Sequence, residues 1–304
     1  MPSSVIAWCS PSEQPGRYET YTLIQHSLHT AAIADLFYDR WRWRSRISGL
    51  PDSLLLVAAG LHDIGKAWRG YQEAAITRYC SRGREPSFLY HEVLSGIVIA
   101  AMEKEAGKRR HVLARSPLWE ALILSVVLHH HGMTGRYSKS ISKIIDELFL
   151  EERPTWQFKP VSIRDLLRDA LPPAREILGK LGCLARELGR GYDLGLLVGM
   201  IELIDSLEER ISGGERLGLD VIISTMENAL GRAGKDPGKE DFSATVSVLA
   251  GFTAVADSAA ASIERSRRDS IPRGTYAWRV LEEAFGNRAS AQVRDRLGKA
   301  GRCL

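Results

Sequence analysis

The chain has 304 residues, 44% hydrophobic and 26% charged, with a net charge of +4, enough to bury one large core with extensions or two smaller ones. No apolar run approaches the roughly 20 residues that span a bilayer. The opening MPSSVIAWCSPSEQPGR lacks the charged start and apolar stretch of a signal peptide, so a soluble, cytoplasmic protein with no membrane partner is expected.

Periodicity predicts an almost wholly helical chain. Leu23, Ala31, Ala32, Ala34 and Leu36 among polar positions predict an amphipathic helix over 19–40. A second helix begins after Pro51, with Asp52 or Ser53 near its N-cap, and runs through LLLVAAGLHD. SFLYHEVLSGIVIAAMEKE and PLWEALILSVVLHHH read as buried helices. Beyond 138 come SKSISKIIDELFLEE, SIRDLLRDAL, PAREILGKLGCLARELG, YDLGLLVGMIELIDSLEERI and DVIISTMENALGR. GRAGKDPGKED at 231–241 is the clearest loop. It precedes a long small-residue helix, ATVSVLAGFTAVADSAAASIERS. Residues 264–304 turn basic, with ten Arg or Lys against five acids, and carry short amphipathic segments around Trp278–Phe285 and Ala291–Leu297. Strand alternation is nowhere sustained, so the expected fold class is all-α.

Cys9, Cys80, Cys183 and Cys303 stand singly, which fits neither a zinc knuckle nor a disulfide framework; reduced thiols are expected. Arginine outnumbers lysine 31 to 10, while Asn and Gln number 2 and 5. Scarce amides point to a thermophilic source, and the guanidinium fork suits phosphate oxygens.

Seven of the eight histidines fall in four neighbourhoods: QHSLH at 25–29, LHDIGK at 61–66, YHE at 90–92 and LHHHG at 128–132. His111, in KRRH, reads as a surface residue. A lone His beside apolar residues is most often a hydrogen-bonded core residue, but the combination points to metal. Imidazoles suit transition metals and a carboxylate can bridge two ions, whereas burying several imidazoles without partners costs stability at each. WRWRSR at 41–46 interleaves Trp41 and Trp43 with Arg42, Arg44 and Arg46, a pattern suited to unstacked bases and phosphates. Its structural alternative is a helix end whose tryptophans pack inward. Arg78–Arg84, Lys108–Arg110 and the tail from Arg265 are further basic candidates.

HDIGK at 62–66 resembles the signature of the HD phosphohydrolase superfamily. IQHSLHTAAIA at 24–34, YHEVLSG at 90–96, LHHHG at 128–132 and AGFTAVADSAAAS at 250–262 resemble, in order, the pieces of the CRISPR-associated HD nucleases, most closely the stand-alone nuclease subunit of type I systems. The resemblance implies an HD-domain helical fold over 1–264, with a helical insertion at 135–245 and a basic helical extension at 265–304. It implies a first metal held by His26, His62, Asp63 and Asp257, with Asp63 bridging to a second held by His91, His129 and His130. Lys66 would stabilise charge on a substrate phosphate or leaving oxygen. His29 competes with His26, His131 with the 129–130 pair and Asp205 with Asp257, the flanking residues favouring the first-named. Two divalent ions are implied, drawn from Mn, Ni, Fe, Co, Zn or Mg, with mixed His and Asp ligation favouring a transition metal. The implied activity is hydrolysis of single-stranded DNA in CRISPR interference. The chain has no G-x-x-x-x-G-K-[ST], so a separate helicase subunit would work beside it and a crRNA-guided surveillance complex. Rival readings are an HD nucleotidase or cyclic-nucleotide phosphodiesterase, and a helical scaffold with vestigial histidines.

Overall fold

The computed structural model describes residues 5–11, 18–82, 84–86, 88–114, 116–129, 144, 148–149, 161–215, 218–232, 240–266 and 271–304. Among them the fold is all-α but for one short hairpin. Strand β1 (Ile6–Pro11) pairs antiparallel with β2 (Tyr18–Thr22), with an irregularity between Ile6 and Trp8. The helix expected from residue 19 therefore starts four residues later. In β1 four successive residues, Ile6 to Cys9, are buried, so no period-two alternation advertised the strand. Trp8 stacks on Tyr21 with ring centroids 4.5 Å apart.

Helix α1 (Leu23–Ala34) starts at an N-cap where Thr22 accepts a hydrogen bond from the Gln25 N–H. It is buried on nearly every side, as befits a central core helix. A 3-10 turn at 35–37 separates it from α2 (Tyr38–Ser48), which ends at left-handed Gly49. Next come α3 (Leu54–Leu61), all eight residues buried, a 3-10 turn (Ile64–Ala67) and α4 (Arg69–Ala74). Helices α5 (His91–Arg109), α6 (Leu118–Leu128), α7 (Ile163–Leu188), α8 (Gly195–Ser212) and α9 (Leu219–Arg232) follow. The long α10 (Glu240–Ser266) precedes α11 (Tyr276–Phe285) and α12 (Ala289–Gly301). Helices α3, α7, α10 and α12 surround α1, while α5 and α6 pair beside them. Each fully buried Leu or Val of α3 contributes about 1.5–3 kcal/mol to this packing.

Several expectations need correction. SIRDLLRDAL and PAREILGKLGCLARELG form one helix, α7, running through Pro172 and Pro173. A proline inside a helix costs about 3 kcal/mol, but a buried leucine stripe from Leu166 to Leu188 holds the line. Within the stretch read as an insertion, α7 packs on α1, α3 and the 64–67 turn. The loop read at 231–241 lies mostly outside the described residues. The segment Asp241–Ser266 is long and apolar enough to cross a membrane, its 18-residue apolar window having mean hydropathy 1.5, yet 56% of that window is buried in the fold. His111 is a half-buried residue that pairs with Glu202 at 3.2 Å and packs against Gly199.

The cysteines are joined rather than reduced. Cys9 pairs with Cys80 and Cys183 with Cys303, with Cα atoms 5.8 and 5.9 Å apart. Separations of 71 and 120 residues leave no local spacing signal. The first bridge ties β1 to the turn after α4, and the second ties the end of α12 to α7. Asp35 also anchors α12 through Arg296 at 2.7 Å, and the connection before α8 through the Tyr192 hydroxyl at 2.7 Å.

Candidate metal centre

His26 lies on the first turn of α1, and His62 and Asp63 follow directly on α3. Asp257 comes from α10 and His91 opens α5. One donor atom from each of His26, His62, Asp63 and Asp257 falls within 4.8 Å of all the others. Asp63 faces two ways. Its Oδ2 lies 3.4 Å from His26 Nε2 and 3.3 Å from His62 Nε2, while its Oδ1 lies 2.8 Å from His91 Nε2.

The HDIGK turn makes that sharing possible. A Cβ on Gly65 would stand 2.1 Å from the His91 carbonyl oxygen and 2.7 Å from Leu94 Cβ, so only glycine lets this turn rest on the start of α5. Ser95 joins the two elements: its hydroxyl accepts from the Gly65 N–H at 2.8 Å and donates to the His91 carbonyl at 2.9 Å. Tyr90, just before His91, sits in the left-handed region at φ 63°, uncommon for a non-glycine residue.

Three histidines are aimed by one device. The Nδ1 atoms of His62, His91 and His129 each bond the backbone carbonyl three residues earlier, that of Ala59, Phe88 and Val126. A carbonyl can only accept, so Nδ1 carries the proton and Nε2 is left as the ligating atom. His62 Nε2 is buried without a well-formed hydrogen bond, 3.3 Å from Asp63 and 3.5 Å from Asp257. A ring nitrogen facing carboxylate oxygens is met either by a second ring proton or by a cation between them. The donor set therefore fits a divalent ion.

The electrostatics agree. Burial opposes charge on every member, yet mutual attraction outweighs it. Asp63 and Asp257 push His62 up to about 9, and Glu264 with Asp257 raises His26 well above its usual range. The imidazoles, with Lys66 beside Asp63, hold both aspartates far below the ordinary carboxylate range.

His129 is buried, its ring packed edge-on against His62 at 5.0 Å between centroids. His130 and His131 lie outside the described residues. Lys66 sits on the 3-10 turn rather than on a continuing helix, with Nζ 2.5 Å from Asp63 Oδ2 and 5.5 Å from the Phe88 ring centroid. Asp205 is exposed on α8 and paired with Arg175 at 2.8 Å, so it does not join the cluster. Neither does His29, which bonds Glu264 at 2.8 Å. Arg42, Arg44 and Arg46 lie on α2, beyond the opposite end of α1 from His26. Trp41 packs inward and donates to the Asp52 carbonyl, whereas Trp43 is 61% exposed beneath Arg44.

His26, His91, His129 and Asp257 floor a cavity of about 650 Å³, with His62 and Asp63 buried behind them. Lys66, Trp8, Phe88, Arg265 and Tyr276 line its walls, together with Glu85, which pairs with Arg265. Sequence reading missed Glu264, a buried acid on α10 that binds both His26 and His29. Its signal was its position seven residues after Asp257, on the same helix face.

Comparison with known proteins gives one match: the family model described as Cas3, HD domain covers residues 10–187, more than half of the chain. No curated protein and no solved structure matches.

Proposed function

The chain belongs to the Cas3 HD-domain family of metal-dependent hydrolases, and from that premise we propose that it is a nuclease that hydrolyses phosphodiester bonds of single-stranded DNA in CRISPR interference. The observation that carries the reading is Asp63, shared between the His26–His62 pair and His91 and buried behind a cavity lined by His26, His91, His129 and Asp257. His26, His62, Asp63 and Asp257 would hold one ion, and Asp63, His91, His129 and His130 a second. Paired ions, drawn from Mn, Ni, Fe, Co, Zn or Mg, supply Lewis-acid stabilisation and an activated water. Lys66 and Arg265 place cationic groups at the cavity wall for phosphate oxygens, and Trp8, Phe88 and Tyr276 offer ring surface to bases. Arg42, Arg44 and Arg46 would extend a basic track on α2. A separate helicase and a crRNA-guided complex would deliver the strand.

The cavity volume favours a second reading, because ~300–1,000 Å³ is the usual range of small-ligand pockets. An HD nucleotidase or cyclic-nucleotide phosphodiesterase would use the same floor. Manganese-loaded protein incubated with labelled single- and double-stranded DNA, beside a panel of nucleotides, separates the two. Shortened single strands support the nuclease, and turnover confined to nucleotides supports the small-molecule enzyme.

We place the protein in the cytoplasm of a thermophile. Few amides support a thermophilic source, and hyperthermophiles are the case in which two disulfides are compatible with an intracellular protein.

A further inference from the structure

We infer that Glu264 is a positioning residue for metal, the group that orients His26 and strengthens it as a ligand; the inference rests on the metal-site reading above. Helix α10 approaches His26 from both edges of its ring. Asp257 Oδ1 lies 3.0 Å from Nε2, on the cavity side, and Glu264 Oε2 lies 2.9 Å from Nδ1, behind it. Two turns of one helix thus clamp a single imidazole.

Glu264 is 2% exposed, and its two oxygens meet three donors. Oε2 accepts from His26 Nδ1 and from the Trp8 indole N–H at 2.8 Å, and Oε1 accepts from His29 Nδ1 at 2.8 Å. An indole N–H can only donate, so this carboxylate stays an acceptor and draws the His26 proton to Nδ1. Nε2 is then free for a cation. The other three histidines of the site obtain that tautomer from a neutral carbonyl. His26 obtains it from a carboxylate at hydrogen-bond distance, whose charge makes the imidazole more basic and its bond to an ion stronger; His91 Nδ1 has the Glu92 carboxylate 3.4 Å away beside its carbonyl partner. His29, which competed with His26 in the sequence, becomes the third hydrogen-bond partner of Glu264 and lies outside the ligand cluster.

The test is Glu264→Gln in the full chain, with Mn²⁺ affinity read by calorimetry. A side-chain amide presents one acceptor and one donor where three donors converge, so Kd should rise about 10- to 100-fold with the circular dichroism unchanged. Zinc-loaded wild-type protein adds a measurement that needs no variant: ¹⁵N shifts should show His26 ligating through Nε2 with Nδ1 protonated. Equal affinity in Glu264→Gln and wild type overturns the inference, as does Nδ1 ligation by His26. Wild-type protein that takes up neither Mn²⁺ nor Zn²⁺ overturns the metal-site reading as well.

Discussion

At the scale of single residues, the chemistry converges on one carboxylate. Asp63 is fully buried and faces three imidazoles and an ammonium. Asp63→Ala should reduce Mn-dependent cleavage of single-stranded DNA to background, since on the proposed two-ion reading both ions would lose a ligand; near-normal activity would remove the mechanism. Lys66→Ala should slow turnover by about a hundredfold while metal content stays near that of wild type. A large loss of bound metal would instead make Lys66 part of the site's scaffolding. The pH dependence of the ion-free protein follows from His62. Its folded value of about 9 exceeds the unfolded 6.5, so its stabilisation is complete below about pH 6.5 and disappears as pH rises through about 9. The melting temperature of chelator-treated protein should fall across that window. Saturating Mn²⁺ should flatten the fall, because an ion replaces the proton as counter-charge. A flat profile without metal would contradict the arrangement.

Elements explain which parts of the site were legible beforehand. HDIGK and YHEVLSG are contiguous runs whose residues meet in the cluster where they stand, so their spacing carries the information; of LHHHG only Leu128 and His129 lie among the described residues. Helix α10 was legible through the setting of Asp257, but Glu264 looked like one acid in an arginine-rich stretch. Its role depends on α1 crossing α10, which no local pattern encodes. The hairpin was hidden because β1 is buried on both faces, and its apolar run lacks alternation. Gly65 is the element-scale prediction. Gly65→Ala forces the 64–67 turn away from α5 and should cost about 1–3 kcal/mol or more. Because Asp63 and His91 would separate, Mn²⁺ affinity should drop with it. A variant that melts and binds metal as wild type does would show that the turn tolerates the added methyl.

For the molecule as a whole, stability is distributed around α1, with long-range ties drawing the chain ends inward. The Cys183–Cys303 bridge closes 120 residues and fastens α12 to α7, beside the Asp35–Arg296 pair. Cys183→Ser should lower stability by about 2–4 kcal/mol, seen as a reduced denaturation midpoint in non-reducing buffer. An unchanged midpoint would mean that packing around Asp35 holds the terminus unaided. The pairing of these thiols could not be read from the sequence, because four well-separated cysteines allow three connectivities as well as none.

The family match stops at residue 187, while the two acids that grip His26 arrive with the helix spanning 240–266. Anyone excising the matched stretch as a portable cutting module would obtain a socket with one jaw missing. A working graft, or a split version reassembled from two pieces, has to bring that helix along, and supplying it in trans would give an on-switch for the socket.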